Sequence, residues 1–342
     1  MIPMFSRIRL VFVLFLLAAC EEARHSQDES SSKPLTKVIF QTDWYPQPEH
    51  AGFYHAYLNG LYAEAGLDVE IRPGANISNV PQMVATGRID FAVGTTDNVF
   101  MAASRGAPLV ALFPYFQHDP QCVMFHAAND VKSLADIDGR TVMINPGAAY
   151  VQYMRKALDI NPRIVPLDYG LARFLSDPDF IQQCFVTSEP YYVAQQGVEA
   201  RVLRLSSSGF DPYRVVYTNQ KMLKDAPEVV LAFVKESLRG WASYSSGDGS
   251  EVHAYLQKLN PQQTPEFAAW TKKAMKRYEL IHGSNLQGEA LGRFDRKRLQ
   301  EHLMHLEAID LLDNSLELNK VVSFDFQDLV PVTGYQDPES SG

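Results

Sequence analysis

The stretch Asp90-Phe91-Ala92-Val93-Gly94-Thr95-Thr96-Asp97-Asn98-Val99-Phe100-Met101-Ala102-Ala103-Ser104-Arg105 changes from one hydrophobic period to another within a single turn. Asp90 to Val93 reads as a buried strand, and Asp97 to Arg105 carries the apolar spacing of a helix. The same alternation runs outward in both directions. Upstream lie a strand from Lys37 to Gln41, a helix from about Glu49 to Ala65, a strand from Asp68 to Ile71 and a helix near Asn79 to Thr86. Downstream is the apolar run Leu109 to Phe116, and this order implies an α/β lobe.

A second series follows: strands at Val123 to Phe125, Thr141 to Ile144, Ile164 to Pro166 and Cys184 to Thr187, with helices at Ala149 to Leu158, Gly170 to Leu175 and Tyr191 to Gln196. It predicts a second α/β lobe. After Arg201 to Leu205 and Arg214 to Thr218 the strands stop, and helical spacing dominates the C-terminal part. The sequence shows no internal repeat. Polar or Gly/Pro-punctuated crossings between lobes are expected near Gln117 to Gln121 and Ser206 to Pro212. The expected organisation is a first lobe from 37–118 and 212–335, and a second from 119–211.

At the N-terminus, Arg7 and Arg9 precede an apolar run that closes on Leu17-Ala18-Ala19-Cys20. The run is shorter than the roughly 20 apolar residues that span a bilayer, and it reads as a secretory signal over residues 1–19. Cleavage before Cys20 leaves that cysteine to carry a lipid anchor, followed by a serine-rich tether over 20–36. The expected location is outside the cytoplasm, facing periplasm or cell exterior. The formal charge of -9 becomes -11 when the two arginines leave, because residues 1–19 hold no acid, and such a surface repels nucleic acid. Cys122 and Cys184 remain, and the reading favours two buried free thiols over a bridge.

Three stretches resemble the pyrimidine-precursor binding proteins of ABC importers, a family that shares its fold with the fungal hydroxymethylpyrimidine phosphate synthases. They are Asp43-Trp44-Tyr45-Pro46-Gln47-Pro48-Glu49-His50-Ala51-Gly52-Phe53-Tyr54, then Gly87 to Asp97, then Asp138-Gly139-Arg140-Thr141-Val142. The second and third are shared with nitrate, taurine and sulfonate binders, whereas the first is the more specific. The resemblance implies a two-lobed periplasmic-binding-protein fold of type II, each lobe a mixed sheet flanked by helices. It also implies an ABC permease as partner, a monomer, and no cofactor.

The residues themselves suggest a binding cleft. Asp43, Trp44 and Tyr45 follow a strand at its carboxyl end, where open α/β sheets place ligand contacts, and the indole and phenol offer flat faces to a heteroaromatic ring. Trp44 is either such a platform or a core residue. Thr95, Thr96 and Asp97 sit between a strand and a helix and either cap that helix or face a ligand. Glu189-Pro190 matches the family, which implies an acid accepting from pyrimidine nitrogens; the alternative is a solvated turn or helix-end charge. Asn145, Gly147 and Tyr150 form an opposing loop whose N–H groups are candidates to hold a polar or anionic substituent. Tyr191, Tyr217 and Gln117 are further candidates, and His50 either lines the cleft or caps its helix.

Synthase chemistry is disfavoured by the residues. The resemblance implies a pyridoxal-linked lysine where Gly94 stands, a histidine where Asn98 stands, and a cysteine-rich segment at Ser206-Ser207-Ser208-Gly209-Phe210. Glycine forms no Schiff base, and serine hydroxyls do not replace thiolates. His302 and His305, one helical turn apart, read as surface histidines. The preferred ligand is a thiamine pyrimidine precursor, with riboflavin or a small anion such as a sulfonate or nitrate as alternatives. Asp43 and Glu189 count against the anion.

Overall fold

The computed structural model describes residues 34–74 and 79–329, in which ten strands form two five-stranded sheets. The leader, Cys20 and all but the last few tether residues lie outside that range, as do residues 330–335 of the expected first lobe. No helix among the described residues is long and apolar enough to cross a membrane.

The first sheet has the order β2-β1-β3-β10-β4, with β1 at Thr36–Gln41, β2 at Leu67–Arg72, β3 at Phe91–Thr95, β4 at Leu109–Phe116 and β10 at Arg214–Asn219. β1 runs parallel to β2 and β3, and β10 inserts antiparallel between β3 and β4. The second sheet has the order β7-β6-β8-β5-β9, with β5 at Gln121–His126, β6 at Thr141–Ile144, β7 at Arg163–Pro166, β8 at Ile181–Phe185 and β9 at Ala200–Arg204. There β6 is parallel to β7 and β8, while β5 is antiparallel to β8 and β9. The two sheets therefore share one topology, each with a reversed strand in fourth place. This duplication is topological and leaves no repeat in the residues.

At one edge of the first sheet β2 alternates buried and exposed positions over its first four residues, while β10 and the opposite edge strand β4 are buried on both faces. β4 is buried at all eight positions, as its unbroken apolar run demands. On one face of the first sheet, Phe91 stacks on Phe233 at 4.2 Å between centroids, and Phe40 and Tyr62 pack around the same ring. Phe233 belongs to the long helix Pro227–Ser246, which crosses the helix Ala51–Leu58 where Gly52 meets the fully buried Trp241. A Cβ on Gly52 would fall 2.1 Å from the indole, so this crossing requires glycine.

Three expectations change. The helix anticipated over Glu49 to Ala65 is a short 3-10 turn, Pro48–His50, then two α-helices, Ala51–Leu58 and Leu61–Glu64, because Gly60 adopts a left-handed φ of 69°. Cys122 and Cys184 are bridged rather than free: antiparallel β5 and β8 place them directly opposite one another, 4.9 Å apart at Cα. His302 is buried between Phe100 and Phe210, and burial lowers its pKa to about 3.

The chain passes between sheets at Gln117 to Pro120 and again near Asp211. A clasp from the C-terminal region grips both passages. Arg298 donates to the carbonyls of Gln117 (2.6 Å) and Asp211 (2.8 Å), and it pairs with the carboxylates of Glu289 and Asp211. His118 bridges Asp211 (2.6 Å) and Glu289 (3.1 Å) through its two ring nitrogens. Burial opposes a charged ring here, but the two carboxylates push the His118 pKa up to about 9, so both nitrogens donate.

Candidate functional site

Between the strand ends of the two sheets lies a cavity of about 200 Å³. Its walls come from Thr95 and Asp97 after β3, Asp119 in the first passage, Asn145, Gly147 and Tyr150 after β6, and Arg214 at the start of β10. The location obeys the rule that open α/β sheets bind ligands beyond the carboxyl ends of their parallel strands.

Arg214 is the charge at the centre, although nothing in the local sequence marks it. Its side chain is 9% exposed. One terminal nitrogen pairs with Asp43, the other lies 3.5 Å from Asp119, and Nε donates to the Tyr115 hydroxyl at 3.0 Å. Phe185 of β8 covers the guanidinium at 5.3 Å. Burial would raise the Asp43 carboxyl, yet Arg214 and a 2.8 Å hydrogen bond from His50 hold it well below the usual range. His50 therefore serves as a buried support for Asp43; its side chain makes no cap bond to the helix Ala51–Leu58.

The other carboxylates are pushed the opposite way. Burial lifts Asp119 to about 6 despite Arg214 and the Gln121 N–H, with Asp97 adding to the rise. Burial also raises Asp97 over the opposing pull of the Thr95 hydroxyl and nearby N–H groups, and its Oδ1 has no hydrogen-bond partner. Glu189 rises to about 7 through burial and the proximity of Glu49, while the Phe185 N–H, donating to Oε2 at 2.7 Å, works against it. Glu49 is buried and raised in turn. Four carboxylates, Asp43, Asp119, Asp97 and Glu49, thus feel one arginine, whereas Glu189 is not among the residues that line the cavity; such perturbed groups in a cleft mark a functional site.

Thr95 lines the cavity and makes no side-chain cap bond to the helix Thr96–Ser104; Thr96 is fully buried. Asn145 and Tyr150 are pinned by one side chain, because Gln183 Oε1 accepts from the Asn145 N–H (2.9 Å) and the Tyr150 hydroxyl (2.5 Å). The Gly147 N–H is already donated to Asn145 Oδ1, and the Ala148 N–H to the Asn145 carbonyl. Those two N–H groups are thereby committed within the loop.

Other candidates lie apart from the cavity. Gln117 is fully buried and donates to the carbonyls of Ala290 (2.6 Å) and Arg293 (3.0 Å), so it belongs to the clasp. Tyr191 packs on Phe267 and Trp270 of the helix Pro265–Arg277. Tyr217 is buried on β10 beneath Gly94. Trp44 is half-buried and does not belong to the core, but Tyr45 meets it edge-on at 81°, which cannot make the anticipated two-faced platform. The ring offered to Trp44 is Tyr169, after β7, at 5.0 Å and 37°. Sequence reasoning missed Arg214, Asp119 and Tyr169; only Asp119 carried a signal, since it lies within the expected crossing.

Two mixed sheets flanked by helices around a polar interstrand-end cavity define the periplasmic-binding-protein fold. The periplasmic aliphatic sulphonate binding protein of Escherichia coli has it too, superposing with a TM-score of 0.62 at 13% identity over 91% of this chain and 99% of that one. A family profile described as NMT1/THI5 like matches residues 47–246, and the chain belongs to that family. The formylaminopyrimidine-binding protein of Halalkalibacterium halodurans is 27% identical over 248 residues, 69% of this chain and 74% of that one. The 4-amino-5-hydroxymethyl-2-methylpyrimidine phosphate synthase of Legionella pneumophila is 22% identical over 247 residues, 67% of this chain and 76% of that one.

Proposed function

We propose that the chain is the solute-binding component of an ABC importer, exported and lipid-anchored through Cys20, that carries a thiamine pyrimidine precursor of the hydroxymethylpyrimidine or formylaminopyrimidine type to a membrane permease. It acts as a monomer without a cofactor. The lobe of 37–118 and 212–335 closes on that of 119–211 by bending at the two passages, and the cargo is held in the cavity.

The observation that carries this reading is the charge balance of the cavity. Its one guanidinium is matched by Asp43 and Asp119, and the Asp97 oxygen left without a partner is an acceptor. A sulfonate or nitrate would meet further negative charge there, whereas amino and ring N–H groups would meet acceptors. Size agrees: a cavity of about 150 Å³ is enough for a benzene ring, so about 200 Å³ suits one substituted six-membered ring.

Catalysis is disfavoured by the ground at Gly94. A Cβ there would lie 3.1 Å from the Tyr217 ring, so a lysine could not enter without displacing it. Titration calorimetry with 4-amino-5-hydroxymethyl-2-methylpyrimidine and, separately, methanesulfonate tests the proposal. One-to-one binding of the pyrimidine without turnover is expected. Binding of the sulfonate alone, or conversion of the pyrimidine, would refute it.

A further inference from the structure

The loop after β7 presents an aromatic ring in an unusual way. Tyr169 has a left-handed φ of 62°, a conformation that a residue with a Cβ adopts only when its surroundings impose it. The surroundings are specific. Asp168 Oδ1 accepts from the Gly170 N–H at 2.8 Å, and the Gln182 side chain donates to the Gly170 carbonyl at 3.2 Å, fixing the loop to its own sheet. Yet the ring gains no burial from that sheet, since Tyr169 is 63% exposed. Its described ring contact is Trp44, which follows β1 of the other sheet. Each ring is tied to a wall of the cavity: Asp43, adjacent to Trp44, holds Arg214, and the Tyr169 loop is fixed by Gln182, whose neighbour Gln183 pins Asn145 and Tyr150.

We propose that Tyr169 is a cargo-retaining residue, forming with Trp44 a two-ring roof over the cavity to which each sheet contributes one half. The roof parts when the sheets separate, so cargo exchange requires the rings to disengage. The energetic logic is that of a contact made in the closed arrangement whether or not cargo is present, and lost in the open one: it favours closure without binding the open arrangement more tightly. This proposal rests on the cavity being the cargo site, but the contact between the rings is independent of what the cargo is.

The experiment has two arms. In the first, stopped-flow release of 4-amino-5-hydroxymethyl-2-methylpyrimidine is compared among wild type, Tyr169→Ala and Tyr169→Phe. Tyr169→Ala is expected to raise the release rate at least fivefold with little change in the association rate, and Tyr169→Phe, which keeps the ring, to stay within twofold of wild type. An unchanged release rate in Tyr169→Ala overturns the proposal. In the second, acrylamide quenching of ligand-free protein is measured in a Trp270→Phe background, where fully buried Trp241 is shielded and Trp44 reports. Tyr169→Ala is expected to increase the quenching constant about twofold or more, and an unchanged constant overturns the roof. Failure of the wild type to bind the pyrimidine would count against the proposed cargo, while the quenching arm would still decide the roof.

Discussion

Replacing Arg214 with methionine tests whether the buried cation organises the cleft. The substitution keeps the length of the chain but leaves Asp43, Asp119 and Tyr115 facing one another without a guanidinium. Breaking a buried pair from one side costs about 3–5 kcal/mol, against about 0–1 for an exposed pair. Because Asp43 keeps 29% of its side chain exposed, the lower end applies, about 3 kcal/mol. At about 2–4 °C per kcal/mol for large domains, the melting temperature should fall by about 6–12 °C. The pH dependence is the sharper part. Asp43, held below its ordinary value of 3.8, stabilises the wild type above that pH and loses the contribution only in stronger acid. Asp119, raised to about 6, costs stability above that pH, and without Arg214 it rises further. The deficit of the variant should therefore be full at pH 7.5 and shrink by pH 5 as carboxyls take up protons. Urea unfolding followed by far-UV circular dichroism at both pH values measures it. A loss below about 1 kcal/mol, the range of a surface pair, or one equal at the two pH values, would refute the argument.

Two further outcomes follow from the hinge and the second sheet. His118, raised from 6.5 to about 9 against burial by its two carboxylates, contributes stability that is whole below pH 6.5 and disappears as pH rises through about 9; Glu289→Gln should move that loss to lower pH, and an unmoved denaturation profile would contradict the clasp. Cys122 and Cys184 should resist alkylation when the protein is unfolded without reductant, and reduction should cost about 2–4 kcal/mol, whereas recovery of two labelled thiols would deny the bridge.

Much of the fold was legible because hydrophobic period is a local property. β4 and β6 match the predicted runs Leu109 to Phe116 and Thr141 to Ile144 residue for residue. What periodicity does not encode is partnership. The run at Arg214 reads as a strand, but its place between β3 and β4 depends on residues about 100 positions earlier. For the same reason Arg214 was invisible as a site residue, its partner Asp43 lying 171 positions away. Gln117 was misread because a polar residue beside a predicted cleft looks like a ligand contact; the carbonyls that claim it arrive from Ala290 and Arg293. The paired state of Cys122 and Cys184 needed the antiparallel register of β5 and β8, and the edge-on angle of Tyr45 to Trp44 is set by side-chain orientation that sequence does not carry.

The insertion of β10 has a consequence for synthesis. β3 and β4 do not pair with each other, so β4 has no partner in its sheet until Arg214–Asn219 has been made, and the clasp on the two passages waits for Glu289 and Arg298. A chain emerging from the ribosome in order would complete its second sheet before its first, leaving eight apolar residues of β4 exposed while about a hundred more are added. Such a polypeptide carries an apolar strand without its ladder partner until late in translation.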